Sequence, residues 1–362
     1  MGSLDANLST ARRLTGSSTD APGSRECMRV PRHLLAPPVI GLVWPVAADP
    51  DGESGPTRGR ARGAGWRCTS RGWFVPATVT QDTVEQRILE AYVAAGPGAV
   101  VTGWAALRLL GGGYFDGSAQ DGRTRLPVPI AANGGRVRSR PGVVVSRFIV
   151  PPDEVTMIHG MRCASPERAL FDELRRLTGV RQRTVAIDMA CAAQLTSILR
   201  MRRYLKVRRW YRDVRTVVPS LDLADERSWS GPETKFRMVW EVDAGWGHPL
   251  CNREIFHVDG HLVGVPDLID PRRAVVGEYA GEHHREIDQH TKDLGRGADF
   301  RGVGLEVVEV NGPILRDRRL VVERLHDAES RAGLLPQLWR LGPEPKTLDQ
   351  ILDERDAAEG IE

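Results

Sequence analysis

Two carboxylates, Asp267 and Glu278, are the residues whose types and spacing best suit chemistry. Glu278 lies in Ala274 to Ala280, whose alternation reads as a strand with Val276, Glu278 and Ala280 on one face. A carboxylate flanked there by Val275, Val276 and Tyr279 is costly to desolvate unless something positive neutralises it. A divalent cation shared with Asp267 is an economical solution, and an all-oxygen ligand set suits Mg2+ or Mn2+. The implied chemistry is metal-centred. Taken alone, Asp267 also fits the start of a turn before Ile269-Asp270-Pro271.

The surrounding elements must bring these acids together. Ser230 can cap a helix with Pro232 in its first turn, so Glu233 and Arg237 share a face. Arg253 to Val258 alternates as a strand, Asp259-Gly260 reads as a two-residue hairpin turn, and His261 to Leu268 returns as the partner strand. Asp270-Pro271-Arg272-Arg273 turns the chain into the Glu278 strand. A helix is expected over about Arg285 to Phe300, then a fourth strand over Gly304 to Val310. The order is helix, three-stranded meander, helix, strand, and such a crossover makes its flanking strands parallel.

That order, with Pro266-Asp267, Glu278-Tyr279-Ala280-Gly281, His283 and Lys292-Asp293, resembles the restriction-endonuclease-like PD-(D/E)xK superfamily, and within it the very-short-patch-repair-like branch. The likeness covers about a third of the chain, residues 230–333. It implies an α/β fold, a DNA substrate, and an endonuclease activity serving defence or repair. It also implies that Asp267 and Glu278 hold the metal, that Glu233 is an accessory acid and that His283 faces the scissile phosphate. A metal ion so placed polarises a phosphodiester and activates water, and a nearby histidine moves a proton. The departure is at Ala280, where the superfamily usually carries lysine; His283 or Lys292 would have to substitute. The alternative is a non-catalytic DNA-binding regulator that keeps a degenerate nuclease fold. His283, His284 and His290 lack the cysteine partners and spacing of a zinc site and read as surface histidines.

Upstream, Val100 to Leu110 and Ser165-Pro166-Glu167-Arg168-Ala169-Leu170-Phe171-Asp172 are similar to proteins of the abortive-infection antitoxin-like kind, which implies a toxin-like or defence-system partner. Helices are expected over Thr83 to Ala95, after Thr102, after Ser165, over Thr184 to Gln194 and over Thr196 to Trp210. Leu126 to Ala131 and Val143 to Val150 give a hairpin-like signal. Between Arg200 and Arg215 lies the strongest basic run, with Arg202, Arg203, Lys206, Arg208, Arg209 and Arg212 interleaved with Tyr204, Trp210 and Tyr211. Phosphates would be held by such a patch while rings stack on bases; a solvated helix face is the competing reading.

A net charge of +3 leaves any nucleic-acid contact to local clusters of this sort. Five scattered cysteines without a C-x-x-C pair argue against a disulfide framework or zinc knuckle. No apolar run reaches the roughly 18 residues of a membrane span, and Pro37, Pro38 and Pro45 interrupt the only stretch that imitates a signal segment, so a cytoplasmic protein is expected. The expected organisation is a disordered tail or upstream start over 1–27, a segment with a Gly/Arg-rich loop over 28–97, a smaller mixed α/β module over 98–220, the nuclease-like domain over 230–333, and a C-terminal tail over 334–362.

Overall fold

The computed structural model describes residues 30–39, 41–135, 137, 139–281 and 297–360. Its first strands, β1 (Val46–Ala47), β2 (Trp66–Ser70) and β3 (Trp73–Pro76), form an antiparallel sheet in the order β1-β3-β2. Thr83 accepts from the Gln86 N–H and starts α1 (Val84–Ala95), which is followed by β4 (Val100–Val101), α2 (Gly103–Leu109), β5 (Val128–Ala131), β6 (Val143–Ser146), β7 (Val155–Ile158) and β8 (Met161–Ala164). These five strands make a sheet in the order β6-β5-β4-β8-β7. Helices α3 (Pro166–Arg176), α4 (Val180–Ala192), α5 (Ile198–Val207) and α6 (Val214–Asp222) complete this half of the molecule.

One apolar cluster runs from Leu34 through Ile88, Trp104, Ile130 and Phe171 to Leu221, so no domain boundary falls between residues 97 and 98: α1 packs on β5 and shares the core. The hairpin signal at residues 126–150 is also corrected. β5 and β6 run parallel, Val128 opposite Val143, and the connection from residue 132 to 142 has the length to carry the chain back before β6 begins, which a tight hairpin turn does not.

The second half starts with α7 (Gly231–Met238), capped by Ser230, and continues through a π-helical turn at Val239–Asp243. Strands β9 (Leu250–Cys251), β10 (Ile255–His257), β11 (Leu262–Gly264), β12 (Leu268–Asp270), β13 (Val275–Ala280) and β14 (Glu306–Asn311) follow, then α8 (Gly312–Arg316), α9 (Arg318–Arg331), β15 (Trp339–Leu341) and α10 (Leu348–Glu359). A mixed α/β architecture is therefore present in both halves.

The expected meander is rearranged. Residues 261–268 do not form one strand: β11 pairs with β10 in a sheet completed by β15, while β12 joins a second sheet ordered β14-β13-β12-β9. Pro266, which lacks an N–H for a ladder, separates the two pieces. In the second sheet β9 and β13 are antiparallel to β12, and β14 is parallel to β13. Phe236, Trp240, Leu268, Val308 and Leu325 fill one face; Ile269, Val276, Phe300, Val307 and Trp339 fill the other. Gly277 is required by close packing, since a Cβ there would lie 2.6 Å from the Phe236 ring.

The segment after residue 333 is not a tail. Its Trp339 is buried in the C-terminal core, and Leu348 and Leu352 are buried against the N-terminal core. Asp349, Asp353 and Asp356 of α10 meet Arg200 of α5. Among the described residues no helix is long and apolar enough to cross a membrane.

The two halves meet where α7 packs on α4. Arg237 and Asp188 are wholly buried there, with Arg237 Nη2 donating to Asp188 Oδ2 at 2.6 Å; the same oxygen accepts from Thr234 Oγ1 at 2.8 Å, and Arg237 Nη1 donates to the Leu223 carbonyl. At the rim, His248 places Nε2 against Asp225 and Nδ1 against Glu241, both at 2.9 Å. Desolvation opposes the charge on His248, but these carboxylates outweigh it and raise the imidazole to about 9.

Arg237→Met should cost about 3–5 kcal/mol in urea unfolding, because it strands the Asp188 carboxylate in the interior. A cost below about 1 kcal/mol would show that Asp188 is otherwise satisfied. The His248 contribution has a definite pH window: its folded pKa lies above its unfolded one, so the stabilisation is complete below about pH 6.5 and disappears as pH rises through about 9. The melting-temperature difference between wild type and His248→Leu should accordingly shrink between pH 6 and pH 10; a constant difference would contradict the charged bridge.

Candidate functional site

Antiparallel pairing of β12 and β13 sets Leu268 opposite Gly277, and the same register continued one residue past the start of β12 would set Asp267 opposite Glu278. Such cross-strand neighbours have Cβ atoms about 5 Å apart and point to the same face. The alternation then places Ile269, Val276 and Val307 in one apolar row, and Asp267, Glu278 and Glu309 in the next. Glu309 enters by the parallel register of β14, which pairs it with Glu278.

Each acid is held differently. The Tyr279 N–H donates to Asp267 Oδ2 at 2.6 Å, tying this carboxylate to the neighbouring strand. Glu278 is only 8% exposed, whereas Glu309 at the margin is exposed. Ala280 follows Glu278 on the same face and is exposed, so a methyl group stands where a lysine ammonium would be expected. His283 and Lys292 lie outside the described residues.

Glu233 connects to this row indirectly. Its Oε2 accepts from the Trp229 N–H at 2.9 Å, closing the first turn of α7, and from Asn252 Nδ2 at 3.1 Å. Asn252 also donates its N–H to the Asp267 carbonyl and its Nδ2 to the Arg227 carbonyl. It does so with φ at 46°, a left-handed conformation that asparagine tolerates better than most residues. Glu233 thus acts on the loop leading from β9, and through Asn252 on the backbone of Asp267.

The basic run looks different once folded. Arg202 pairs with Asp222 at 2.8 Å, Arg203 with Asp349 at 3.3 Å, and Arg208 with Asp153 and Glu154 at 3.0 and 2.8 Å. Arg212 lies 3.8 Å from Asp213. Lys206 and Arg209 are exposed and have no carboxylate within 4.0 Å among the described residues. Trp210 is 69% exposed, whereas Tyr211 lies under the Arg168 guanidinium at 5.5 Å. Arg200, Arg202, Arg203 and Arg208, half of the basic residues in this run, are therefore paired with acids distant along the chain.

The Ser165 to Asp172 stretch has a structural account. Arg168 pairs with Asp172 and Glu154 in the interior, and Thr102 Oγ1 donates to Asp172 at 2.5 Å. Glu173 Oε2 accepts from the Trp104 N–H at the start of α2. These acids fasten α2 and β7 to α3. Sequence reasoning missed Glu309, whose only signal was an acid within an apolar strand run; it also gave no sign of the roles of Glu241 and Asp243, which bind His248, Arg181 and Arg318.

Family models, curated proteins and solved structures give no match to this chain.

Asn252→Ala should destabilise the protein by about 1–3 kcal/mol, since it removes donors from the buried margin of Glu233 and the Arg227 carbonyl and puts alanine in a left-handed conformation. Urea denaturation measures this, and a neutral result would remove Asn252 as the link between Glu233 and Asp267.

Proposed function

We propose that the chain is a metal-dependent DNA endonuclease of the restriction-endonuclease-like kind, with Asp267 and Glu278 as the metal-holding pair. The observation that carries this reading is the Tyr279 N–H donation to Asp267 Oδ2 at 2.6 Å, which draws the Asp267 carboxylate to the residue that follows Glu278 on the neighbouring strand. The strand order β14-β13-β12-β9, with β14 parallel to β13 and α7 packed on the sheet, gives it further support.

The donor chemistry fits a hard cation, as the pair offers carboxylate oxygens alone. Mg2+ or Mn2+ bound there supplies a Lewis acid and an activated water for phosphodiester hydrolysis. The protein's part is positional. Tyr279 orients Asp267 through its N–H, partial burial strengthens the electrostatics of Glu278, and Glu233 with Asn252 fixes the backbone that carries Asp267. His283 and Lys292 are the groups proposed to move a proton or stabilise charge in place of the usual lysine.

Ala280 favours one second reading, a DNA-binding regulator without hydrolysis, because its side chain neither orients water nor carries charge. Lys206, Arg209 and Trp210 would be the DNA contacts in either case, being exposed beside their paired neighbours.

Purified protein incubated with plasmid and single-stranded DNA in Mg2+ or Mn2+ should cleave, and Asp267→Ala and Glu278→Ala should each lower the rate by about a hundredfold or more. Intact DNA with wild type and both variants, accompanied by a gel shift, would eliminate the nuclease and leave the regulator.

A further inference from the structure

The hairpin joining β10 to β11 turns through Asp259-Gly260, and the His257 N–H donates to the His261 carbonyl at 2.9 Å to close it. The two imidazoles stack, with centroids 4.7 Å apart and planes 17° from parallel. Both direct Nδ1 at one carboxylate oxygen: Asp259 Oδ1 lies 2.9 Å from His257 and 2.6 Å from His261. Two nitrogens and one oxygen converge within 4.8 Å of one another, which no other set of three or more His, Cys, Asp and Glu side chains achieves among the described residues.

We propose that His257, Asp259 and His261 form a binding site for a divalent transition-metal ion of the zinc class. Mixed imidazole and carboxylate donors select Zn2+, Ni2+ or Cu2+ over Mg2+ and Ca2+. Coordination at about 2.0–2.1 Å per ligand would insert the ion between groups now joined by the His261 Nδ1 contact to Asp259 Oδ1 and by the Asp259 backbone N–H, which donates to His257 Nδ1 at 3.3 Å. The side chains of Asp259 and His261 are 59% and 62% exposed, so they can make the small torsional shifts required and leave a coordination position to water. The closed backbone of the turn already supplies much of the ordering that ligation needs.

Three ligands with an open position describe an exchangeable site and not a buried structural one. Its place in the fold gives it a role. The β10–β11 ladder carries a register irregularity between Ile255 and Phe256, and an ion bridging His257 to His261 would tie the strands together beyond it. The site is separate from the Asp267–Glu278 pair and stands whether or not that pair is catalytic.

Metal-free full-length protein titrated calorimetrically with Zn2+ should bind it, and His257→Ala, His261→Ala and Asp259→Asn should each weaken the affinity at least tenfold. Cys68→Ser and His326→Ala should bind as wild type does. Cu2+ at the same site should give an electron paramagnetic resonance signal with nitrogen hyperfine couplings that the His257→Ala/His261→Ala double variant lacks. Matching metal-free melting curves separate loss of ligands from loss of fold. Wild type that takes up no Zn2+, or a double variant that retains wild-type affinity, would overturn the proposal and leave the histidines as hydrogen-bonding partners of Asp259 in the turn.

Discussion

The buried Arg237–Asp188 pair is the constraint on which the two halves of this protein depend. Neither charge has access to water, so each is tolerable only while the other is within hydrogen-bond reach. Because Arg237 belongs to α7 and Asp188 to α4, the pair fixes the rotation of α7 about its own axis as well as its distance from the N-terminal core. That rotation determines which side chains α7 turns toward the C-terminal sheet. Phe236 meets Gly277 of β13, and Glu233 meets Asn252 beside β12. A polar contact at one face of a short helix thereby helps to set the backbone on which Asp267 and Glu278 sit.

Within the sheet, geometry and burial act in the same direction. The Tyr279 N–H holds Asp267 beside the Glu278 strand, and a parallel register brings Glu309 alongside Glu278. The apolar row of Ile269, Val276 and Val307 beneath them makes a slip costly, since displacement by one residue would drive acids into the core and expose valines. The same packing that stabilises the sheet thus keeps its carboxylates at one end, the arrangement on which the proposed nuclease chemistry rests.

Charge compensation follows a longer range. Acids from α10 and from the β7 region reach the arginines of α5 and its following turn, drawing the end of the chain onto the N-terminal core. Counting charges along residues 200–215 registers a strongly basic segment, but half of its cations are paired with distant acids and the folded surface offers chiefly Lys206, Arg209, Arg212, Arg215 and Trp210. The same lesson applies to Arg168 and Asp172, whose motif-like spacing serves an interior network.

Local chemistry was legible wherever the interaction is local. Ser230 caps the helix that its position announces, Thr102 and Ser165 precede the expected helices without a side-chain cap hydrogen bond, and alternation identifies β13 with Glu278 among its apolar neighbours. The two-residue strand β9 carries too little pattern to be read, and the division of residues 261–268 between two sheets depends on partners that only the assembled chain supplies. The sequence by itself determined the Ser230 cap, the period of β13 and the identity of the acids, because these depend on residues within one turn or one pleat. Tertiary structure alone decided that β5 and β6 are parallel, that α10 neutralises α5, and that Asp188 meets Arg237, because those outcomes depend on burial and pairing between groups far apart along the chain.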